Sequence, residues 1–417
     1  MTPELICETA QWSRLGELLP RWREVPLYRN RLPSLRNLSA GACDRQGFAR
    51  WPLVTKRELR EDFPRNFLSS DEVLESLLAR ELVELEHTSG TSEERTPVLF
   101  RRGWWDEQEK CVLRLNGFIA RVLEKHPESR RATMTTPVCN GRSCPTAWRS
   151  QAQRTFGRTL FVNLARIPFL LTDAELARMA AEIADWSPQF LDVDPVHGAR
   201  FALYCEERGL RFPSLQFVLC SYEFVSVVHR RVLERVFGVP VFNLYGSTET
   251  GHLLMEDERG DLKPSHENAF LEVLEPDERN LGELVVTTLT NDLMPLVRYR
   301  IGDLVERRNL QHAATYVVHG RSRDALRRRD GRLVTTWDVD QCFAGVAGVA
   351  HYQFRQWANG NCSLRFVPVH AGPDAETLGR LTTRLESLLR PPGPLQIEAK
   401  ALLLPEHSGK FRLTGPA

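Results

Sequence analysis

The 417-residue chain carries 55 Lys+Arg against 54 Asp+Glu, a formal net charge of +1, so it has no global field with which to coat nucleic acid or settle on an anionic membrane. Hydrophobic residues at 42% and charged residues at 26% exclude bulk disorder and a collagen-like composition. Only six lysines occur, at 56, 110, 125, 263, 400 and 410, so any lysine used for chemistry is one of these.

No run reaches the roughly 18 apolar residues of a membrane span, and the start MTPELICETAQW lacks a basic stretch followed by an apolar one; a cytoplasmic chain is expected. The nine cysteines (7, 43, 111, 139, 144, 205, 220, 342, 362) are scattered without a C-x-x-C pair. They signal neither a disulfide scaffold nor a zinc ribbon and read as small buried hydrophobes.

In chain order, a helix over 12–19 is broken at Pro26-Leu27-Tyr28, and Thr55 reads as the N-cap of a short helix ending near Pro64. A Leu-rich helix from Asp71 leads into the polar turn 87–92, followed by a strand over 97–100 and one long amphipathic helix around 104–126. Helix 174–186, strand 217–220, helix 227–237 and strand 239–245 alternate in a rhythm that argues an open, largely parallel sheet. Ligands on such sheets bind at the carboxyl ends of the strands. Strands over 270–274 and 282–288 look antiparallel, joined by Pro276-Asp277-Glu278. The charged segment 321–332 then precedes a short α+β tail. The expected fold class is α/β: a large N-terminal part of several subdomains with mixed sheets over 1–320, and a small α+β domain over 321–417.

Four segments carry residues suited to chemistry. Thr88-Ser89-Gly90-Thr91-Ser92 offers hydroxyls and backbone N–H groups on a Gly-containing turn, which can wrap phosphate oxygens; an ordinary Ser/Thr turn has the same composition. Tyr245-Gly246-Ser247-Thr248-Glu249 follows a core strand and combines a flat ring to stack a base, a Gly for close approach, a hydroxyl, and a carboxylate able to hold Mg²⁺. The bland alternative is a strand-to-loop turn with a solvated Glu. In Arg298-Tyr299-Arg300-Ile301-Gly302-Asp303 the carboxylate after the Gly can accept two ribose hydroxyls, or merely pair with an arginine. Lys410 lies in Ser408-Gly409-Lys410-Phe411-Arg412, a compact point charge retained in an arginine-rich chain.

In their order and spacing these segments resemble the adenylate-forming superfamily of acyl-CoA synthetases, in particular its phenylacetate–CoA ligase branch. The resemblance covers nearly the whole length. Pro26-Leu27-Tyr28 and Pro52-Leu53-Val54-Thr55-Lys56 with Leu59 are similar to the N-terminal signature of that branch, as are Leu293 to Arg300 and Gly320-Arg321-Ser322-Arg323-Asp324. The resemblance implies an ATP-dependent activation of a carboxylic acid to an acyl-adenylate, followed by transfer to coenzyme A. Thr88, Ser89, Gly90, Thr91 and Ser92 would line the triphosphate, and Tyr245 and Gly246 would receive the adenine. Thr248 would contact the α-phosphate, Glu249 would hold Mg²⁺, and Asp303 and Arg321 would bind the ribose. Lys410, on a mobile C-terminal domain, would bridge the attacking carboxylate and the α-phosphate, with Arg323 and Asp324 as the hinge.

Three departures accompany the resemblance. Glu93 and Glu94 follow the hydroxyl loop and would repel a triphosphate unless they face solvent or arginine. Residues 304–319 contain no cysteine, so no structural zinc is expected. Arg323 stands where the hinge residue is often Asp. The acyl pocket is expected between 136–142 and 221–224, where Cys139, Cys144, Ala147 and Tyr222 suit a flat aromatic acid, although the same residues could be plain core. Two alternatives stay open: an adenylating enzyme that loads the phosphopantetheine thiol of an acyl carrier protein or an amine, and a non-catalytic nucleotide-binding homologue. A homodimer is also left open.

Overall fold

In the computed structural model, residues 3–31, 45–68, 70–88, 95–135, 150–163, 168–310, 313–406 and 409–417 are described. Their contacts resolve into two compact units, one drawn mainly from 1–117 and 245–317, the other from 118–138, 142–244 and 318–417.

The first unit is organised by antiparallel strands of uneven cover: Gly251–Glu256 is buried throughout and Leu281–Thr288 almost throughout, whereas Ala269–Leu274 is mostly half-buried. Its sheet runs, in spatial order, Ala269–Leu274, Leu281–Thr288, Tyr299–Leu310, Ala313–Arg321, Leu262–Pro264 and Gly251–Glu256. The pairings made by the first two strands with each other and with the third are antiparallel. An aromatic cluster ties the N-terminal helix Pro3–Glu24 to this sheet: Trp12 lies 4.9 Å from Phe270 and 5.7 Å from Phe48, and Phe48 lies 4.6 Å from Trp51.

Tyr28 is 2% exposed, donates its hydroxyl to the Pro295 carbonyl at 2.8 Å and accepts the Val297 N–H at 2.9 Å. Val54 bonds the backbone on either side of Tyr299, its N–H to Arg298 O at 3.0 Å and its carbonyl to Arg300 N at 2.8 Å. The buried Arg298 guanidinium reaches the carbonyls of Ala49 and Trp51, each at 2.6 Å, and the Glu272 carboxylate. The N-terminal signature thus docks on the Arg-Tyr-Arg segment, each hydrogen bond contributing about 1 kcal/mol.

The second unit holds the parallel sheet that the βαβα rhythm predicts. Strands Val241–Ser247, Phe217–Cys220, Phe190–Val193, Arg131–Met134 and Thr159–Phe161 run parallel in that order, with Thr155–Phe156 antiparallel at the edge. Helices Asp173–Trp186, Pro195–Arg208 and Val227–Phe237 pack on it, and all three have side-chain N-caps, from Thr172, Asp194 and Ser226. Leu176, Ile183, Leu191, Phe201, Val218 and Leu233 form part of the resulting core, none of them exposed. Residues after 321 form a separate four-stranded sheet, in the order Gln396–Ala399, Cys362–Pro368, Val349–Gln356 and Thr414–Pro416, covered by helices Thr336–Gln341 and Ala375–Leu389. Its apolar core includes Phe343, Tyr352 and Phe354, and also takes in Val228.

Three local expectations change. The break expected at Pro26-Leu27-Tyr28 falls one residue earlier, at Val25 between the helices Pro3–Glu24 and Pro26–Arg31, and Pro26 takes the first-turn position where a missing N–H costs nothing. The long helix around 104–126 divides into Trp104–Leu113 and Gly117–Lys125. The break falls at 114–116 and ends on Asn116, a poor helix former whose side chain donates instead to the Glu256 carbonyl at 2.8 Å. Between the Asp71–Ala79 helix and the hydroxyl loop lies a further strand, Val83–His87, antiparallel to Pro97–Arg101. No helix among the described residues is long and apolar enough to cross a membrane.

Candidate functional site

The strand Val241–Ser247 ends in the Tyr-Gly-Ser-Thr-Glu segment, and the next strand starts at Gly251. The turn between them is closed by Thr250 N–H, which bonds the Ser247 carbonyl at 3.2 Å and its hydroxyl at 3.3 Å. A side chain at Gly246 would place its Cβ 2.3 Å from the Gly251 carbonyl oxygen, so only glycine admits this approach. Thr248 is half-buried at the apex, and the next side chain, Glu249, turns inward to 4% exposure.

Glu249 is held by two residues that the sequence does not single out for chemistry. The Lys56 ammonium lies 2.9 Å from its Oε1, and Tyr299 donates its hydroxyl to the same oxygen at 3.1 Å. Lys56 opens the short helix Lys56–Arg60, whose N-cap Thr55 donates its backbone N–H to the Glu58 carboxylate at 2.8 Å. Burial alone would raise the Glu58 pKa, but the hydrogen bonds from Thr55 and neighbouring groups outweigh it and bring it down to about 2. The rarity of lysine was the available signal for Lys56, and its place in the Pro-x-x-x-Lys signature the second.

In the same unit Tyr245 donates its hydroxyl to Asp303 Oδ2 at 2.6 Å. This bond fixes the ring's orientation and occupies one carboxylate oxygen. Asp303 is itself 5% exposed, one residue beyond Gly302, whose φ of +85° sits inside the strand Tyr299–Leu310 where its pairing with Leu281–Thr288 shifts register. Thr88 is buried, and its Oγ1 accepts the Thr96 N–H at 3.0 Å while its own N–H bonds the Thr96 carbonyl at 3.0 Å. It clasps the two ends of the hydroxyl loop. Ser89, Gly90, Thr91 and Ser92, with Glu93 and Glu94, lie outside the described residues, as do Cys139, Cys144 and Ala147 of the expected acyl pocket.

The second unit carries Tyr222, Arg321, Arg323, Asp324 and Lys410. At the carboxyl end of the parallel sheet Asp192 accepts the hydroxyls of Ser221 at 2.6 Å and Tyr222 at 2.7 Å. Tyr222 has φ +73°, a left-handed conformation that a bulky residue adopts only when its surroundings impose it. Lys410 reaches this loop: its Nζ donates to the Tyr222 carbonyl at 3.2 Å, and the following residue, Phe411, donates its N–H to Glu223 Oε1 at 3.0 Å. Burial and the nearby Asp194 push the Glu223 carboxyl well above its usual range, against the pull of Lys410.

Arg321 ends the strand Ala313–Arg321, and the turn Ser322–Asp324 follows at once. Asp324 accepts Arg412 Nε at 2.6 Å, and Arg412 also donates to the Arg323 carbonyl at 3.2 Å. Burial raises the Asp324 pKa against the opposing charges of Arg412 and Arg323. Of the described cysteines, 205, 220, 342 and 362 are buried; desolvation lifts the Cys205 thiol to about 12, which suits packing and not nucleophilic chemistry.

As a metal donor, Glu249 offers one carboxylate already paired with an ammonium. That set suits Mg²⁺ arriving on a nucleotide, where phosphates and waters complete the shell, better than a resident ion.

The chain matches no family model. It is 24% identical to a phenylacetate–coenzyme A ligase of Pseudomonas putida over 386 residues, 88% of this chain and 81% of the relative. A phenylacetate–coenzyme A ligase of Thermus thermophilus is 32% identical over 143 residues, 30% of this chain and 31% of that one. Among solved structures, 2-hydroxyisobutyryl-CoA ligase in the postadenylation state, in complex with 2-HIB-AMP, superposes with a TM-score of 0.69 at 17% identity, covering 94% of this chain and 85% of that one. The chain has the fold of the adenylate-forming acyl-CoA ligases and is similar in sequence to their phenylacetate–CoA ligase branch.

Proposed function

We propose that this protein is an AMP-forming acid–thiol ligase that activates a carboxylic acid, of the aromatic class, with ATP and passes the acyl group to coenzyme A. The observation that carries the reading is the position of Lys410 over the Tyr222–Glu223 loop, at the carboxyl end of the parallel sheet where a ligand of this fold class is expected.

In the first step a carboxylate oxygen of the acid attacks the α-phosphorus, the bond to the bridging oxygen breaks, and pyrophosphate leaves with the electron pair. Little covalent help is needed, so orientation and charge dominate. Lys410 would stabilise negative charge between acid and phosphate. Thr248 would donate to the α-phosphate, and Tyr245 and Asp303, with Arg321, would seat the nucleoside. The clasped loop 89–92 would meet the outer phosphates. Mg²⁺, when bound with ATP, supplies charge neutralisation beside Glu249. In the second step the thiolate attacks the acyl carbon and AMP departs. For that step residues 321–417 would turn about Arg323 and Asp324, carrying Lys410 away.

The test is ATP–pyrophosphate exchange across a panel of aryl and aliphatic acids, followed by thioester formation with coenzyme A. Exchange with aryl acids and consumption of coenzyme A support the reading. Exchange without coenzyme A consumption moves the acceptor to a carrier-protein thiol or an amine, and no exchange with any acid removes the ligase assignment.

A further inference from the structure

Asp340 lies in the helix Thr336–Gln341 of the C-terminal sheet domain and is 1% exposed. A buried carboxylate persists only where donors replace water. Two of its donors belong to a different helix, at the far side of a seam. Ser226 Oγ donates to Oδ1 and the Val227 N–H donates to Oδ2 at 2.9 Å, while the Tyr352 hydroxyl, from Asp340's own domain, donates to Oδ1 at 2.9 Å. Asp340 therefore serves as an N-terminal cap, supplied from another part of the chain, for the 11-residue helix Val227–Phe237. It adds its charge to the positive end of that helix dipole and completes the capping that Ser226 begins at Val228 N–H, 3.1 Å away.

The remainder of the seam is closed to solvent. Val228 joins the apolar core of the C-terminal domain, and His229 Nε2 lies 3.0 Å from His351 Nδ1 with the two rings stacked. Phe411 sets its edge on His351 at 4.8 Å. The helix capped by Asp340 begins directly after the loop that holds Lys410 and Phe411 through Tyr222 and Glu223.

We propose that Asp340 is the positioning residue that docks the C-terminal domain in its adenylating orientation, by capping the helix next to the loop where Lys410 lands. The inference rests on the ligase reading above. For the domain to turn, the carboxylate must leave Ser226 and Val227, so its bonds bias the equilibrium toward the state with Lys410 in place. Charge-assisted hydrogen bonds at a buried seam are strong enough for their loss to shift such an equilibrium on the order of tenfold to a hundredfold.

The experiment compares Asp340→Asn and Tyr352→Phe with the unmodified full-length protein in three measurements: ATP–pyrophosphate exchange, thioester formation from supplied acyl-adenylate and coenzyme A, and amide hydrogen exchange over 226–229. Asp340→Asn should lower pyrophosphate exchange roughly tenfold to a hundredfold through kcat with little change in the KM of the acid. It should leave thioester formation unchanged or faster, and speed amide exchange at 226–229. Tyr352→Phe keeps the carboxylate and loses one orienting donor, so it should show the same pattern at smaller size and stands in if the Asn variant folds poorly. Equal loss in both half-reactions, or unaltered pyrophosphate exchange, overturns the proposal. If the unmodified protein supports no exchange with any acid, the ligase reading fails by itself. The amide measurement then decides the docking: unchanged protection in both variants overturns it, and faster exchange sustains it.

Discussion

The Lys56 ammonium sits 2.9 Å from Glu249 Oε1, joining the helix at the N-terminal signature to the carboxylate at the end of the Tyr-Gly-Ser-Thr-Glu turn. Glu249 is nearly closed off from water while Lys56 is 39% exposed, so the lysine supplies the charge that lets the carboxylate stay buried. Substitution Lys56→Met should lower stability by about 1–3 kcal/mol, less than for a fully buried pair because the lysine is partly solvated. It should also raise the KM for MgATP, since Glu249 loses the group that orients it. Thermal denaturation and steady-state kinetics check both, and wild-type values in each would show the pair to be incidental.

Lys410→Ala should reduce ATP–pyrophosphate exchange by at least about a hundredfold, the size expected when a group that stabilises transition-state charge is removed. Thioester formation from supplied acyl-adenylate should persist near its normal rate. A similar loss in both half-reactions would assign Lys410 a structural duty instead.

Glu223 gives a pH prediction whose sign follows from its raised pKa. A carboxyl favoured in its neutral form by the folded state contributes stability below about pH 4.5 that is lost as pH rises through the folded pKa. Glu223→Gln should therefore stabilise the protein at pH 8 and matter little at pH 4. The same change removes the anion beside Lys410, so the acid limb of pyrophosphate exchange should flatten. Melting curves at the two pH values, with a pH–rate profile, are the measurements; a variant less stable at pH 8 would contradict the assignment.

His229 and His351 act in the opposite direction. Burial lowers the pKa of His229 to about 3; His351 is lowered well below 6.5 by burial, His229 and Arg355. A depressed histidine contributes stability above pH 6.5 that is lost as pH falls toward the folded value. Denaturation midpoints should drop between pH 6.5 and 5, and His351→Phe, which removes one proton acceptor of the pair, should shrink that drop. An undiminished drop in the variant would place the acid sensitivity elsewhere.

The elements legible in the sequence were those whose periodicity reflects burial on both faces or along a helical stripe: strands Phe217–Cys220 and Val241–Ser247 and helix Val227–Phe237 stand where the pattern puts them. Val83–His87 is a strand where the Leu-rich run from Asp71 suggests a helix, and its alternation of Val, Glu, Leu and Glu has the period of a half-buried strand. The candidates Tyr245, Glu249 and Asp303 were legible because each stands beside a glycine or at the end of an apolar run, a local pattern that needs no distant partner. Lys56, Tyr299 and Asp340 were not singled out for roles, because their partners lie far away in the chain and only tertiary packing brings them together.

Tyr28 has a consequence for anyone who reshapes this protein. Its hydroxyl bridges the backbone of Pro295 and Val297, immediately before the segment that presents Arg298 to the N-terminal arm and Tyr299 to Glu249. Trimming the chain past this tyrosine would unseat the floor beneath the Glu249 carboxylate, whereas an added tag ahead of the first helix leaves that keystone in place. The opening residues thus hold up the segment that carries Tyr299, and a fragment cut to begin at the hydroxyl loop would lack that support.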